Sequence, residues 1–152
     1  MEFAVVKLPA GLAGRHGVVL DTMVLVYFFE AHPEFGPRCK AVIEAVESRL
    51  FEAAVTPVTL AEVIVKPLKE NRASLADVYR QALQNMTGIS LVSITHETGY
   101  LAGTLRAKYG MPLPDMMQIA VALQSQKPTL ITNDRTLRKV KEVDVFLLSD
   151  FK

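Results

Sequence analysis

Val18-Val-Leu-Asp-Thr-Met-Val-Leu-Val-Tyr-Phe-Phe29 is an apolar run interrupted by a single acid, Asp21. Val18–Leu20 has the length and β-branched character of a buried strand. Thr22–Ala31 continues as a helical segment that is apolar on nearly every side, until His32-Pro33 breaks it. A carboxylate where a buried strand ends is costly unless it caps a helix, pairs with a cation or binds a metal. The rest of the chain decides among these.

Working outward, the sequence alternates strand-like and helix-like segments. Pro37–Leu50 places Ala41, Val42, Ala45, Val46 and Leu50 on one helical stripe, with Arg38, Lys40, Glu44, Glu47 and Arg49 facing water. The Val42, Ala45, Val46 part of that stripe reads equally as core or as a contact between two copies in a homodimer. Ala53–Val55 is a second strand. Thr59–Leu68 is a helix whose last turn Pro67 should weaken, and Ser74–Met86 is a helix stopped near Gly88. Ile89–Ile94 suits a third strand, and Glu97–Tyr109 a helix ending at Gly110. Pro114–Gln126 is a nearly all-apolar helix, Thr129–Ile131 a fourth strand, Asp134–Val140 a short basic helix and Val143–Leu148 a last strand. Such alternation predicts an α/β protein with a parallel sheet covered on both faces. Residues 1–17 read as an N-terminal extension without assigned function: a strand-like Phe3–Val6 and then a loop rich in glycine. Residues 18–152 read as one domain.

Length and composition narrow the function. At 152 residues, half of them hydrophobic, the chain can bury a core without metal or disulfide support. Seventeen basic against sixteen acidic side chains give a net charge of +1, so a nucleic-acid site has to be a local patch. The one cysteine, Cys39, forms no internal bridge and reads as a small apolar filler, which fits a reducing compartment. No apolar run approaches the length of roughly 18 residues that spans a bilayer, and no signal-peptide pattern opens the chain. A soluble, cytoplasmic protein with no membrane partner is the expectation.

Four acids stand where the apolar pattern leaves them least excuse: Asp21, Glu62, Asp115 and Asp134. Each has an innocent explanation. Asp21 and Asp134 have the position of helix N-caps, Thr59 and Glu62 the spacing of a capping box, and Asp115 a place in a first turn after Pro114. Their common location is what argues for chemistry. In a doubly wound sheet, helices begin at the carboxyl edge of the strands, and the first and fourth strands meet where strand order reverses. Asp115 joins the others if its helix is the one feeding the fourth strand. Carboxylates gathered in a partly buried cleft repel one another unless a divalent cation neutralises them. Oxygen donors without histidine or cysteine favour Mg²⁺ or Mn²⁺, and His16, His32 and His96 have no metal-ligand spacing. Such a cation serves phosphate chemistry.

Two other families with an acid after the first strand are excluded. A haloacid-dehalogenase-type phosphatase needs a second Asp where this chain has Met23, and a response-regulator receiver needs an Asp where it has Ile94-Thr95-His96. No glycine-rich loop follows any strand, which excludes the common nucleotide-binding folds.

Val19-Leu-Asp-Thr-Met-Val-Leu-Val-Tyr-Phe-Phe-Glu30, Val58-Thr-Leu-Ala-Glu-Val-Ile-Val-Lys-Pro-Leu68, Leu113-Pro-Asp-Met-Met-Gln-Ile-Ala-Val-Ala-Leu123 and Leu130-Ile-Thr-Asn-Asp-Arg-Thr-Leu137 resemble, in order and spacing, the four blocks of a PIN domain, with VapC-type toxins the nearest likeness. The resemblance covers about residues 18–150. It implies a three-layer α/β/α fold with a central parallel sheet of four to five strands, and Mg²⁺- or Mn²⁺-dependent endoribonuclease activity on single-stranded RNA that leaves a 5′-phosphate and a 3′-hydroxyl. Asp21, Glu62 and Asp115 would be the core metal-binding and catalytic acids and Asp134 the fourth, more variable one, holding one or two ions. Thr22, Thr132 and Asn133 would support them. Lys66, Lys69, Arg135, Arg138 and Lys139 would be either solvated helix surface or contacts to the RNA backbone.

The likeness further implies an antitoxin partner and a homodimer. An RNA-processing nuclease without an antitoxin, and a catalytically idle RNA- or protein-binding module, are the alternatives. Two positions depart from the family pattern. Met23 stands where many members carry Asn, which removes a polar neighbour of Asp21, and Met116-Met117 replace the usual Ala and Ile, which alters packing. Neither removes an acid, so an active site is expected.

Overall fold

The alternation of strand and helix produces a single five-stranded parallel sheet in the computed structural model, which describes residues 7–152. The strands are β1 (Val18–Leu20), β2 (Ala53–Val55), β3 (Ile89–Leu91), β4 (Thr129–Thr132) and β5 (Asp144–Leu147), in the order β3-β2-β1-β4-β5. The strand-like Phe3–Val6 lies outside the described residues. Strand order reverses between β1 and β4, which are hydrogen-bonded neighbours with Val19 opposite Leu130 and Leu20 opposite Ile131. A crevice at the carboxyl ends of these two strands is the place where this class of sheet takes its ligands.

The period-two alternation of the central strands divides the interior into two cores. Val18, Leu20, Ala53, Val55 and Ile131 face α1 (Thr22–Phe29), α2 (Gly36–Glu47), α3 (Pro57–Lys69) and α4 (Ala73–Asn85). Val19, Ala54 and Leu130 face α5 (His96–Tyr109) and α6 (Leu113–Ala122). The result is a three-layer α/β/α protein. Val42, Ala45 and Val46 lie in the first of these cores, so this stripe of α2 is interior rather than contact surface.

Several local expectations shift. α3 starts at Pro57 rather than Thr59: Pro57 occupies the first helical position, where its missing N–H costs nothing, and Thr56 caps the helix by accepting from Val58 N–H at 3.2 Å. The capping box expected of Thr59 and Glu62 therefore does not form. Pro67 is buried inside α3, and the helix runs two residues past it to Lys69. The basic segment after β4 is a 3-10 turn, Arg135–Lys139, capped by Asp134, rather than an α-helix. β3 is shorter than its apolar pattern, although Val92 N–H still donates to Val55 C=O at 2.9 Å. Gly88 precedes β3 with φ +81°, and a Cβ there would lie 2.5 Å from the Val46 carbonyl oxygen, so only glycine allows α4 to turn into the sheet.

Residues 7–17 pack onto this body. Leu12 is fully buried, Lys7 and Lys152 exchange backbone hydrogen bonds, and Arg15 donates to Thr129 Oγ1 at 2.9 Å and to Asp144 Oδ2 at 2.6 Å.

Candidate active site

The end of β1 delivers Asp21 into the crevice. Its backbone N–H continues the ladder to β4 by donating to Ile131 C=O at 2.9 Å, which fixes the residue at the strand terminus. The side chain is only 8% exposed. It caps α1, with Oδ1 accepting from Thr22 N–H at 2.8 Å, while Oδ2 accepts from Thr132 Oγ1 at 2.6 Å. Capping and a functional role are thus compatible: each carboxylate oxygen spends one lone pair on the protein and keeps another. Burial pushes the Asp21 carboxyl above its ordinary range. The hydrogen bonds from Thr132 and Thr22 oppose that shift, and the nearby charges of Glu62 and Asp134 add to it.

Glu62 comes from the second turn of α3. Because α3 begins two residues earlier than the sequence pattern suggests, Thr59 points inward, fully buried, and Glu62 reaches the cleft from an exposed position. Its Oε1 accepts from Thr22 Oγ1 at 2.7 Å. Asp115 lies in the first turn of α6, the helix that leads into β4, and it is half-buried. Its carboxyl is raised to about 6, first by burial and then by the charges of Asp21, Asp134 and Glu62. Asp134 follows β4. It is exposed and accepts from Thr136 N–H at 2.9 Å and Thr136 Oγ1 at 2.6 Å.

All four acids predicted from the sequence therefore face one cleft at the carboxyl edge of the sheet, close enough that Asp115 feels the other three. They stand around that cleft rather than closing on a point: among the described residues, no three acidic, histidine or cysteine side chains are drawn together tightly enough to enclose an ion. The donor set is oxygen only, partly desolvated and mutually repelling, which fits a hard divalent cation and no softer metal.

The predicted neighbours divide. Thr22 and Thr132 each hold a carboxylate, and Thr132 Oγ1 also accepts from Asp134 N–H at 3.1 Å, tying two of the acids to one residue. Asn133 is partly buried and makes no side-chain hydrogen bond to an acid among the described residues. Of the basic residues, Lys66 pairs with Glu30 at 3.2 Å and Arg138 with Asp150 at 2.7 Å. Lys69, Arg135 and Lys139 are exposed with no such partner among the described residues. His16 pairs with Glu52, and His32 Nδ1 accepts from the backbone of Glu34 and Phe35 while packing on Tyr27, so neither approaches the acids.

Sequence reasoning missed Gln118. It is 1% exposed, and it joins Thr56 to Thr59 through its amide. The available signal was a lone polar residue one helical turn after Asp115 in an otherwise apolar helix.

A family model matches most of the chain. The PIN domain model covers residues 18–143, and the chain belongs to the PIN domain family. Among solved structures, it is similar to a chain of VapBC2 from Rickettsia felis bound to a DNA fragment from their promoter, with a TM-score of 0.69 and 14% identity, covering 91% of this chain and 99% of that one. It is also similar to a chain of a toxin-antitoxin complex from Klebsiella pneumoniae (TM-score 0.63, 23% identity, 84% and 95% covered). A third similar chain is from DNA-bound VapBC of Salmonella typhimurium (TM-score 0.63, 15% identity, 87% and 98% covered). At these identities the likeness is one of fold. A comparison with curated proteins found no match.

Proposed function

We propose that this protein is a divalent-metal-dependent endoribonuclease acting on single-stranded RNA, and that it is the toxin of a toxin–antitoxin pair. The observation that carries the nuclease reading is the placement of Asp21, Glu62, Asp115 and Asp134 around one cleft, with Asp115 raised to about 6 by burial and by the other three charges. A fold gains nothing from gathering repelling carboxylates unless a cation relieves them.

Mg²⁺ or Mn²⁺, one ion or two, would be held by Asp21, Glu62 and Asp115, with Asp134 at the rim. When bound, it would supply charge neutralisation at a phosphoryl oxygen and acidify a water. The protein's own part is positional. Thr132 and the Thr22 backbone hold Asp21 in one orientation, Thr22 Oγ1 holds Glu62, and the short β1 and β4 strands keep the two sides of the cleft in register. Lys69, Arg135 and Lys139, exposed on the elements that carry Glu62 and Asp134, would meet backbone phosphates, with Lys66 and Arg138 available once their acidic partners are displaced.

The toxin reading rests on the likeness to chains of toxin-antitoxin complexes, which also supports an antitoxin partner. No helix among the described residues is long and apolar enough to cross a membrane.

The test is cleavage of single-stranded RNA with Mn²⁺ or Mg²⁺. Activity should appear with the metal, vanish with EDTA and be abolished by Asp21→Asn with the fold retained; full activity in that variant would sink the assignment. Growth arrest on expression, relieved by the protein encoded next to it, tests the toxin role separately.

A further inference from the structure

Behind Glu62 lies a chain of four buried polar side chains that the metal reading does not require. Thr56, Thr59, Thr22 and Gln118 are at most 6% exposed, and they come from the cap of α3, from α3, from α1 and from α6. Thr56 Oγ1 donates to Gln118 Oε1 at 2.5 Å. Gln118 Nε2 donates to Thr59 Oγ1 at 2.9 Å and lies 3.4 Å from Thr22 Oγ1. Thr59 and Thr22 hydroxyl oxygens are 3.3 Å apart, and Thr22 Oγ1 donates to Glu62 Oε1 at 2.7 Å.

The direction of every bond in this chain follows from counting protons. An ionised carboxylate only accepts, so the single Thr22 proton goes to Glu62. Thr22 then has none for Thr59, and Thr59 must be the donor between them. Having spent its proton, Thr59 can only accept from Gln118, which requires the Gln118 amide nitrogen on that side and its oxygen toward Thr56. Thr56, already accepting from Val58 N–H, gives its proton to that oxygen. The opposite amide orientation would leave the Thr22–Thr59 contact without a proton. One directed path, Thr56 to Gln118 to Thr59 to Thr22 to Glu62, satisfies every contact. Bonds aligned in this sense polarise one another toward the charge at the end.

We propose that Gln118 is a positioning residue for Glu62: through Thr59 and Thr22 it fixes which oxygen of Glu62 is tied to the protein, leaving the other aimed into the cleft. Gln118 sits three residues after Asp115 on the same helix, so it also sets the Glu62 side of the cleft relative to the Asp115 side. The proposal rests on the metal-holding role of Glu62 argued above.

Mn²⁺ alone, titrated calorimetrically into the full-length protein, tests both readings separately, with the melting temperature of each variant recorded alongside. Wild type should bind and Glu62→Gln should lose binding. Gln118→Met should weaken Mn²⁺ about tenfold, the scale of partners that orient a metal ligand. Thr22→Val should weaken it as much, Thr22→Ser should restore it, and Gln118→Met combined with Thr22→Val should be no weaker than Thr22→Val alone. Thr59→Val removes the link through Thr59 while sparing the Thr22–Glu62 bond, leaving only the longer 3.4 Å contact from Gln118 Nε2 to Thr22 Oγ1, and should weaken binding by less than Gln118→Met does; it decides the matter if Gln118→Met does not fold. Wild-type Mn²⁺ affinity in Gln118→Met or Thr59→Val, with only the melting temperature lowered, would reduce the network to packing and overturn the proposal. Losses that multiply in the double variant would overturn it too. Unchanged binding in Glu62→Gln would remove the metal role itself and the positioning claim with it.

Discussion

Asp21 and Asp115 are both carboxylates in the same cleft, yet the protein treats them in opposite ways. Asp21 is the more deeply buried, and two donors, Thr132 Oγ1 and Thr22 N–H, answer its charge. Asp115 is half-buried and accepts no side-chain or backbone hydrogen bond among the described residues. Burial raises both, but only Asp115 lacks an opposing donor, and it reaches about 6. The fold thus offsets part of the cost of burying the Asp21 charge while holding the carboxylate in place. Asp115 is left for something outside the chain to satisfy.

The sharpest way to break this contrast is activity. Asp115→Asn should cost more than a hundredfold in metal-dependent RNA cleavage, beyond the ten- to hundredfold range of residues that merely orient a ligand. Asp134→Asn, whose carboxylate is exposed and already engaged by Thr136, should cost about tenfold. Equal losses in single-turnover assays would mean that exposure and protein donors do not rank these acids.

A second test concerns stability. Thr132→Val keeps a good strand residue in β4 but strips a donor from the buried Asp21, and should destabilise the protein by about 1–3 kcal/mol at pH 7. Thr136→Val, its counterpart beside the exposed Asp134, should stay within about 0.5 kcal/mol. Urea denaturation of both variants measures the difference directly. Comparable losses would show that water, not the threonine, satisfies Asp21.

How much of this arrangement could be read from sequence depended on whether the signal was periodic or spatial. β1, the central strands and the shared sheet edge of the four acids were legible because an acid closing an apolar run is conspicuous at Asp21, and because helix starts in an alternating α/β chain share one sheet edge. The β1–β4 pairing followed from the same topology. The capping box at Thr59 and Glu62 misled, since the spacing was right but Pro57 began the helix two residues earlier and turned Thr59 inward. The basic helix after Asp134 is a 3-10 turn because only five residues, Arg135–Lys139, separate its cap Asp134 from the buried Val140. Gln118 was not legible as a hub: its partners Thr56, Thr59 and Thr22 lie 62, 59 and 96 residues away, and only packing of α6 against α1 and α3 brings them together. The same applies to the residues before Val18, where Leu12 and Arg15 serve the fold in a stretch with no periodic pattern.

The smallest expected effect isolates what Asp115 costs the fold. An aspartate titrates near 3.8 in the unfolded chain and Asp115 at about 6 in the folded one, so between these values the folded state binds more protons and stability falls as pH rises. Below about pH 4 both states are protonated and the penalty is absent; above about pH 6 both are ionised and it is complete. Two pKa units correspond to about 3 kcal/mol, and partial solvation of the half-buried group reduces this to about 1 kcal/mol. Asp115→Asn should therefore stabilise the metal-free protein by about 1 kcal/mol at pH 7 and by nothing below pH 4. The gain should shrink when Mn²⁺ is added, because the cation stabilises the wild-type acid and not the amide. A variant that is more stable, inactive and indifferent to Mn²⁺ would establish that Asp115 is kept at the expense of the fold; one that is less stable than wild type at pH 7 would show that the carboxylate serves the fold after all.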